Sequence, residues 1–165
     1  MIPAPNMQTI LFATDLGENS RSVFRLAVSQ ARRYNARLLI LHVVEPLGST
    51  GTAIIANYLS GVAADRINKD MAEEILDIMK QRVETFCLEE LVAFGLDRTP
   101  VTEVMVASGN PAEEILETAK QCDVGMIVMG TSTRSFLGNA IMGTTARRVS
   151  RHTTVPVLLV PMAEK

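Results

Sequence analysis

Five short apolar runs divide this chain: TILFAT, RLLILHVV, VTEVMVA, VGMIVM and VPVLLV. Four of them are nearly unbroken in apolar residues, as strands covered on both faces are. VTEVMVA alternates and carries Glu103, which assigns it to a sheet edge. Between the runs the apolar period lengthens to that of a helix. Ser20 to Tyr34 collects Val23, Phe24, Ala27 and Ala31 on one face, with Arg21, Arg25 and Arg32 elsewhere. From about Asn68 to Phe94 the repeat runs through Ile75, Met79, Val83, Phe86, Leu91 and Phe94, and Gly95 supplies a stop. A third helix begins at Asn110, a natural N-cap, with Pro111 in its first turn and Glu113 and Glu114 at its positive end. Its inward residues are Ile115, Leu116, Ala119 and Cys122. A short basic helix, about Gly143 to Arg151, precedes the last run.

Strands alternating with helices imply an α/β domain with a parallel sheet and right-handed crossovers. At 165 residues the chain suits one domain, 1–165. Apolar residues make up 47% of it, enough for a core without disulfides or metals. The two cysteines, Cys87 and Cys122, lie in helical stretches and share no motif, as in a reduced cytoplasmic protein. MIPAPNMQT has no basic-then-apolar pattern of a signal peptide, and the longest apolar run is too short to cross a bilayer. A formal charge of −2, no tryptophan and few other aromatics give no basis for nucleic-acid binding. The stretch LGSTGTAIIANYLSGVAADR, Leu47 to Arg66, shows no clear period and reads as a mobile excursion, with room for a short helix at Ala53 to Leu59.

In open parallel sheets ligands sit beyond the carboxyl ends of the strands. The fourth run leaves its carboxyl end into GTSTRSFLGNAIMGTTARR, a loop that starts at Gly130 and opens a helix at Gly143. Unpaired N–H groups at such a helix start attract phosphate. It is not a P-loop, which needs Lys after its last glycine where this chain has Thr144 and Thr145. Nor does TDLGENS after the first run hold a dinucleotide fingerprint, having one glycine. No His and Cys residues have metal-ligand spacing.

The loop resembles that of ATP-binding universal stress proteins, of the form G-x-x-G, nine residues, then G-[S/T]. Gly130 fits its first position, and Gly143 with Thr144 its last; Thr133 stands where the family has its middle glycine. Arg134, Ser135 and Leu137 are also similar to residues of that loop. ILFATDLGENS resembles the family's opening strand, LLILHVVEP its second strand, SGNPAEEIL its third-helix start, and RHTTVPVLLVP its closing strand. The resemblance spans nearly the whole chain apart from the Leu47 to Arg66 excursion. It implies a Rossmann-like, open five-stranded parallel sheet in the order 3-2-1-4-5, with helices on both faces. It also implies a nucleotide site. Asp15 would accept hydrogen bonds from the nucleoside, and Ala13, Thr14, Val43 and Met129 would wall the base and ribose. Gly130, Thr131, Ser132 and Thr133 would approach the ribose and phosphates, and Gly143, Thr144 and Thr145 would donate to the phosphates.

Structural roles compete with several of these assignments. Asp15 would equally cap the loop before the first helix, and Thr144 would equally be an N-cap. His42 and His152 have no catalytic partner nearby in sequence and read as structural, and Arg134 as a solvated cation. The resemblance therefore implies a cytoplasmic universal stress protein that binds ATP, with or without Mg2+, and acts on an unknown regulatory protein partner. It implies a homodimer through the last strand, Val155 to Val160. With no nucleophile, base or carboxylate cluster in evident array, the chain is expected not to be an enzyme, although slow ATP hydrolysis is compatible with this site. The alternative is a member without nucleotide, acting only through protein contacts, which the Thr133 departure favours. A nucleotidyl-transferring enzyme ranks last, for want of a pyrophosphate loop or a His signature near the first strand.

Overall fold

In a computed structural model of the protein the described residues are 6–17, 19–46, 62–96, 100–131 and 142–161. They run β1 (Thr9–Thr14), α1 (Ser20–Tyr34), β2 (Arg37–Val44), α2 (Val62–Ala93), β3 (Val101–Ser108), α3 (Pro111–Gln121), β4 (Met126–Thr131), α4 (Thr144–His152) and β5 (Val157–Pro161). All neighbouring strands are parallel, in the order β3-β2-β1-β4-β5. This is the five-stranded α/β architecture expected from the sequence, with the alternating strand β3 at one edge.

Strand parity builds two cores. Ile10, Phe12, Leu38, Ile40 and Val128 face α1 and α2, where Val23, Phe24, Ala27 and Val83 cover them. Leu11, Ala13, Leu39, Leu41 and Ile127 face the other way, onto Ile115 and Ala119 of α3 and Val149 of α4. Every residue of β1 is buried, because the central strand is covered on both faces.

The helix ends follow local chemistry. Asn110 is the cap its sequence announces, its Oδ1 accepting from the N–H of Ala112 (3.1 Å) and Glu113 (3.3 Å). Gly95 ends α2 at φ 64°, and the Leu96 N–H returns to the Leu91 carbonyl at 3.2 Å. Burial pushes the Cys87 thiol on α2 up to about 12, with the charge of Glu84 adding to the effect.

Two features differ from the sequence-based expectation. Residues 62–66 belong to α2 rather than to the excursion, whose residues 47–61, with the short helix expected at 53–59, lie outside the described residues. The apolar period of α2 also overstates its burial: Val83, Cys87 and Leu91 are covered, but Ile75 is exposed. The cause is length. A helix of 32 residues is ~48 Å long, whereas eight residues of strand span only ~26 Å, so the sheet cannot cover all of it.

Candidate functional site

A cavity of about 910 Å³ opens at the carboxyl ends of the central strands. Its walls come from segments far apart in sequence. β1 contributes Ala13 and Thr14 with Asp15 just beyond; β2 contributes His42 and Val43; β4 contributes Met129 and Gly130; and the start of α4 contributes Gly143, Thr144 and Thr145. The β1–β4 pairing, in register at Ala13 and Met129, brings Asp15 and the glycine-opened helix into one site.

Nine of the twelve residues expected from the sequence therefore line one cavity. Thr131 does not line it; its hydroxyl donates to the Val160 carbonyl at 3.4 Å, joining the ends of β4 and β5. Ser132 and Thr133 lie outside the described residues, and with them the consequence of a threonine at the middle glycine position.

Three helix starts meet this cavity, and they differ: α1 begins at Ser20, whose N–H already donates to the Gly17 carbonyl at 3.0 Å. α3 brings its own cap, so Asn110 occupies its first free N–H groups. α4 begins on Gly143, which has no side chain, and among the described residues no side chain caps its first turn. Thr144, Thr145 and Ala146 are cavity residues with N–H groups that precede the first helical bond, Arg147 N–H to Gly143 carbonyl at 3.0 Å. Such a terminus carries a partial positive charge and unused donors, and an anion satisfies both.

Asp15 has the structural role that the sequence offered beside the ligand one. Its Oδ1 accepts the Gly17 N–H at 2.9 Å and the Ser20 hydroxyl at 3.2 Å, holding the loop into α1. Its Oδ2 accepts nothing from the described residues, and Asp15 is exposed at the cavity rim.

His42 proves to be a cavity residue as well as a structural one. It is 7% exposed, and its Nδ1 lies 2.8 Å from the Thr14 carbonyl. A carbonyl only accepts, so Nδ1 carries the proton and, in the neutral ring, Nε2 is left as an acceptor. The available sequence signal was a lone polar residue at the carboxyl end of an apolar run. Ser20, Val23, Ile75 and Met79 also line the cavity, from the α1 and α2 side of the sheet. No sequence signal marked them, because helical residues reach this site only by packing. His152 ends α4, exposed and outside the cavity. Among the described residues no three His, Cys, Asp or Glu side chains group as a metal site, and no helix is long and apolar enough to cross a membrane.

A sequence model of the universal stress protein family matches residues 6–161. Universal stress protein YxiE of Bacillus subtilis is 31% identical over 152 residues, covering 92% of this chain and 97% of the relative. The structure of universal stress protein UspA from Lactobacillus plantarum aligns with a TM-score of 0.63 at 23% identity, covering 94% of this chain and 99% of that one. A universal stress protein from Archaeoglobus fulgidus, solved in complex with dAMP, aligns with a TM-score of 0.53 at 19% identity, covering 93% and 97% respectively.

Proposed function

Since the chain belongs to the universal stress protein family, we propose that it is a cytoplasmic regulatory protein that binds ATP at the cavity between β1, β2, β4 and α4. The observation that carries this reading is the uncapped start of α4, which faces the same cavity as Asp15 and an apolar wall of Ala13, Val43 and Met129. The wall suits a base, Asp15 Oδ2 suits a nucleoside donor, and the α4 N–H groups with the Thr144 and Thr145 hydroxyls suit phosphates. Binding of dAMP by the Archaeoglobus relative supports a nucleotide of this class. Mg2+ would accompany ATP through the phosphate oxygens rather than through a protein cage. ATP then works as a bound signal, shifting the protein toward a partner-competent state by its differential affinity.

Replacing Gly143 by asparagine tests the role of α4. The backbone there, φ −56° and ψ 152°, accommodates asparagine, whose side-chain oxygen would take the N–H groups offered to phosphate. Calorimetric titration should show ATP weakened by about tenfold or more, with unfolding temperature unchanged or raised. Asp15→Ala should weaken ATP by about 1.5–3 kcal/mol, the range for a hydrogen bond to a charged group. Unaltered ATP affinity in both variants would move the ligand elsewhere. The second reading, a protein acting through contacts alone, is favoured by Thr133. Saturating Mg-ATP at a hundred times its Kd stabilises a binder by about 2.7 kcal/mol. A melt unmoved by millimolar ATP would select that second reading.

The proposed protein acts as a homodimer through β5. This strand is apolar, yet Val157, Leu158, Leu159 and Val160 are only half-buried, because it ends the sheet. The Pro156 carbonyl accepts from Ile127 of β4 at 2.9 Å. By alternation the N–H groups of Val157 and Leu159 point away from β4, to the open edge. Leu159→Pro should therefore leave the β4 pairing intact and give a folded monomer, whereas Leu158→Pro should disrupt the fold. Sedimentation decides this. A wild-type monomer at micromolar concentration would refute the dimer.

A further inference from the structure

Four groups at the end of β1 form one chain of hydrogen bonds. The Leu16 N–H meets Thr14 Oγ1 at 3.0 Å, Thr14 Oγ1 meets Ser20 Oγ at 3.2 Å, and Ser20 Oγ meets Asp15 Oδ1 at 3.2 Å. Both ends fix its direction. An amide can only donate and a carboxylate can only accept, so the Ser20 proton points to Asp15 and the Thr14 proton to Ser20. Ser20 is 2% exposed and Thr14 8%, so the chain is largely shielded from water, and each bond polarises the next.

The same carboxylate is held from two further directions. Gly17 donates its N–H to Oδ1 at 2.9 Å, which fills the second acceptor position of that oxygen. A Cβ at Gly17 would stand 3.0 Å from Oδ1 and 3.3 Å from Oδ2, so the backbone packs directly against the carboxylate. Meanwhile His42 grips the Thr14 carbonyl, fixing the strand end from which Asp15 departs. Leu16, next in the chain, adopts φ 57° without being glycine, a conformation that costs about 1–2 kcal/mol and is held by its bond to Thr14.

We propose that Ser20, with Thr14 and Gly17, is a positioning residue that commits Asp15 Oδ1 to the protein and presents Oδ2 as the single oxygen that recognises the nucleoside. This rests on the nucleotide reading above and deepens it. Ser20 touches no ligand in this scheme; it acts by holding the carboxylate in one rotamer before ligand arrives, so that binding does not have to order it.

Two measurements test the proposal separately from nucleotide binding itself. The first is amide hydrogen exchange of the nucleotide-free protein. Ser20→Ala should speed exchange at Gly17, Thr14→Val should speed it at both Leu16 and Gly17, and Thr14→Ser should restore the wild-type rates. Unchanged rates in Ser20→Ala and Thr14→Val would overturn the chain. The second is ATP titration in a double-mutant cycle. Ser20→Ala should weaken ATP about three- to tenfold in the wild-type background, the worth of one hydrogen bond, and have no effect in Asp15→Ala. Equal losses in both backgrounds, or none in either, would make Ser20 a structural serine only. If wild-type protein does not bind ATP, the nucleotide reading falls, and the exchange rates alone decide whether Asp15 is held as described.

Discussion

Replacing Gly125 by alanine should destabilise this protein by about 3 kcal/mol or more, the upper range for forced overpacking. A Cβ at Gly125 would lie 1.7 Å from the Asn6 carbonyl oxygen, 2.6 Å from the Asn6 carbonyl carbon and 3.1 Å from Met7 Cα. All three are backbone atoms, so no rotamer change relieves the clash. The approach is close because the Gly125 N–H donates to the Thr9 carbonyl at 2.8 Å, at the start of the β1–β4 ladder. Moving either segment loosens the pairing that also brings Asp15 to Gly130. In a thermal melt the loss corresponds to roughly 6–12 °C for a chain of this size. Gly95→Ala is the natural control. Gly95 has open space around its missing Cβ but φ 64°, so alanine there should cost only about 1–2 kcal/mol, from the left-handed backbone. Melting of Gly125→Ala within 2 °C of wild type would mean that the segment before β1 does not rest on Gly125.

The second large effect concerns a charge rather than a clash. Glu90 of α2 is 1% exposed and meets two arginines of α1: Arg21 Nη1 at 3.0 Å from Oε1, and Arg25 Nε at 2.9 Å from Oε2. Arg25 makes an aligned hydrogen bond, while the Arg21 contact is close without hydrogen-bond alignment, leaving Oε1 held by charge alone. Arg25 also lies over the Phe94 ring, 5.3 Å from its centroid. The partners are unequal, since Arg21 and Arg25 are 62% and 46% exposed. Removing the carboxylate returns two half-exposed arginines to water, so Glu90→Gln should cost about 1–2 kcal/mol. Removing both arginines strands a buried carboxylate, so Arg21→Met with Arg25→Met should cost about 3–5 kcal/mol. Urea denaturation of the two proteins measures the difference directly. If the double arginine variant is as stable as Glu90→Gln, the carboxylate reaches water by another route and the pairing is incidental.

The elements and part of the site were legible because their causes are local. Asn110 followed by Pro111 and two glutamates announces a helix start whatever surrounds it, and Asn110 makes both capping bonds. An unbroken apolar run needs cover on both sides, and the central strand has it. Resemblance to a known loop supplied more, linking Asp15 to Gly143 across more than a hundred residues. The roles of Ser20 and Gly17 were not legible, because each depends on where the Asp15 carboxylate turns, and that is settled by atoms rather than by spacing.

What the sequence by itself determined was period and punctuation: which stretches are strands and helices, where they start and stop, and which faces are apolar. Tertiary structure alone decided environment. Ile75 keeps the helical period yet is exposed, because α2 outruns the sheet. VPVLLV looks like a buried strand yet is half-open, because it falls at the edge. Glu89 and Glu90 are the sharpest case: adjacent and chemically alike, one is exposed and the other 1% exposed. A turn of about 100° per residue separates their directions on the helix, and only the position of α1 decides which of them faces two arginines.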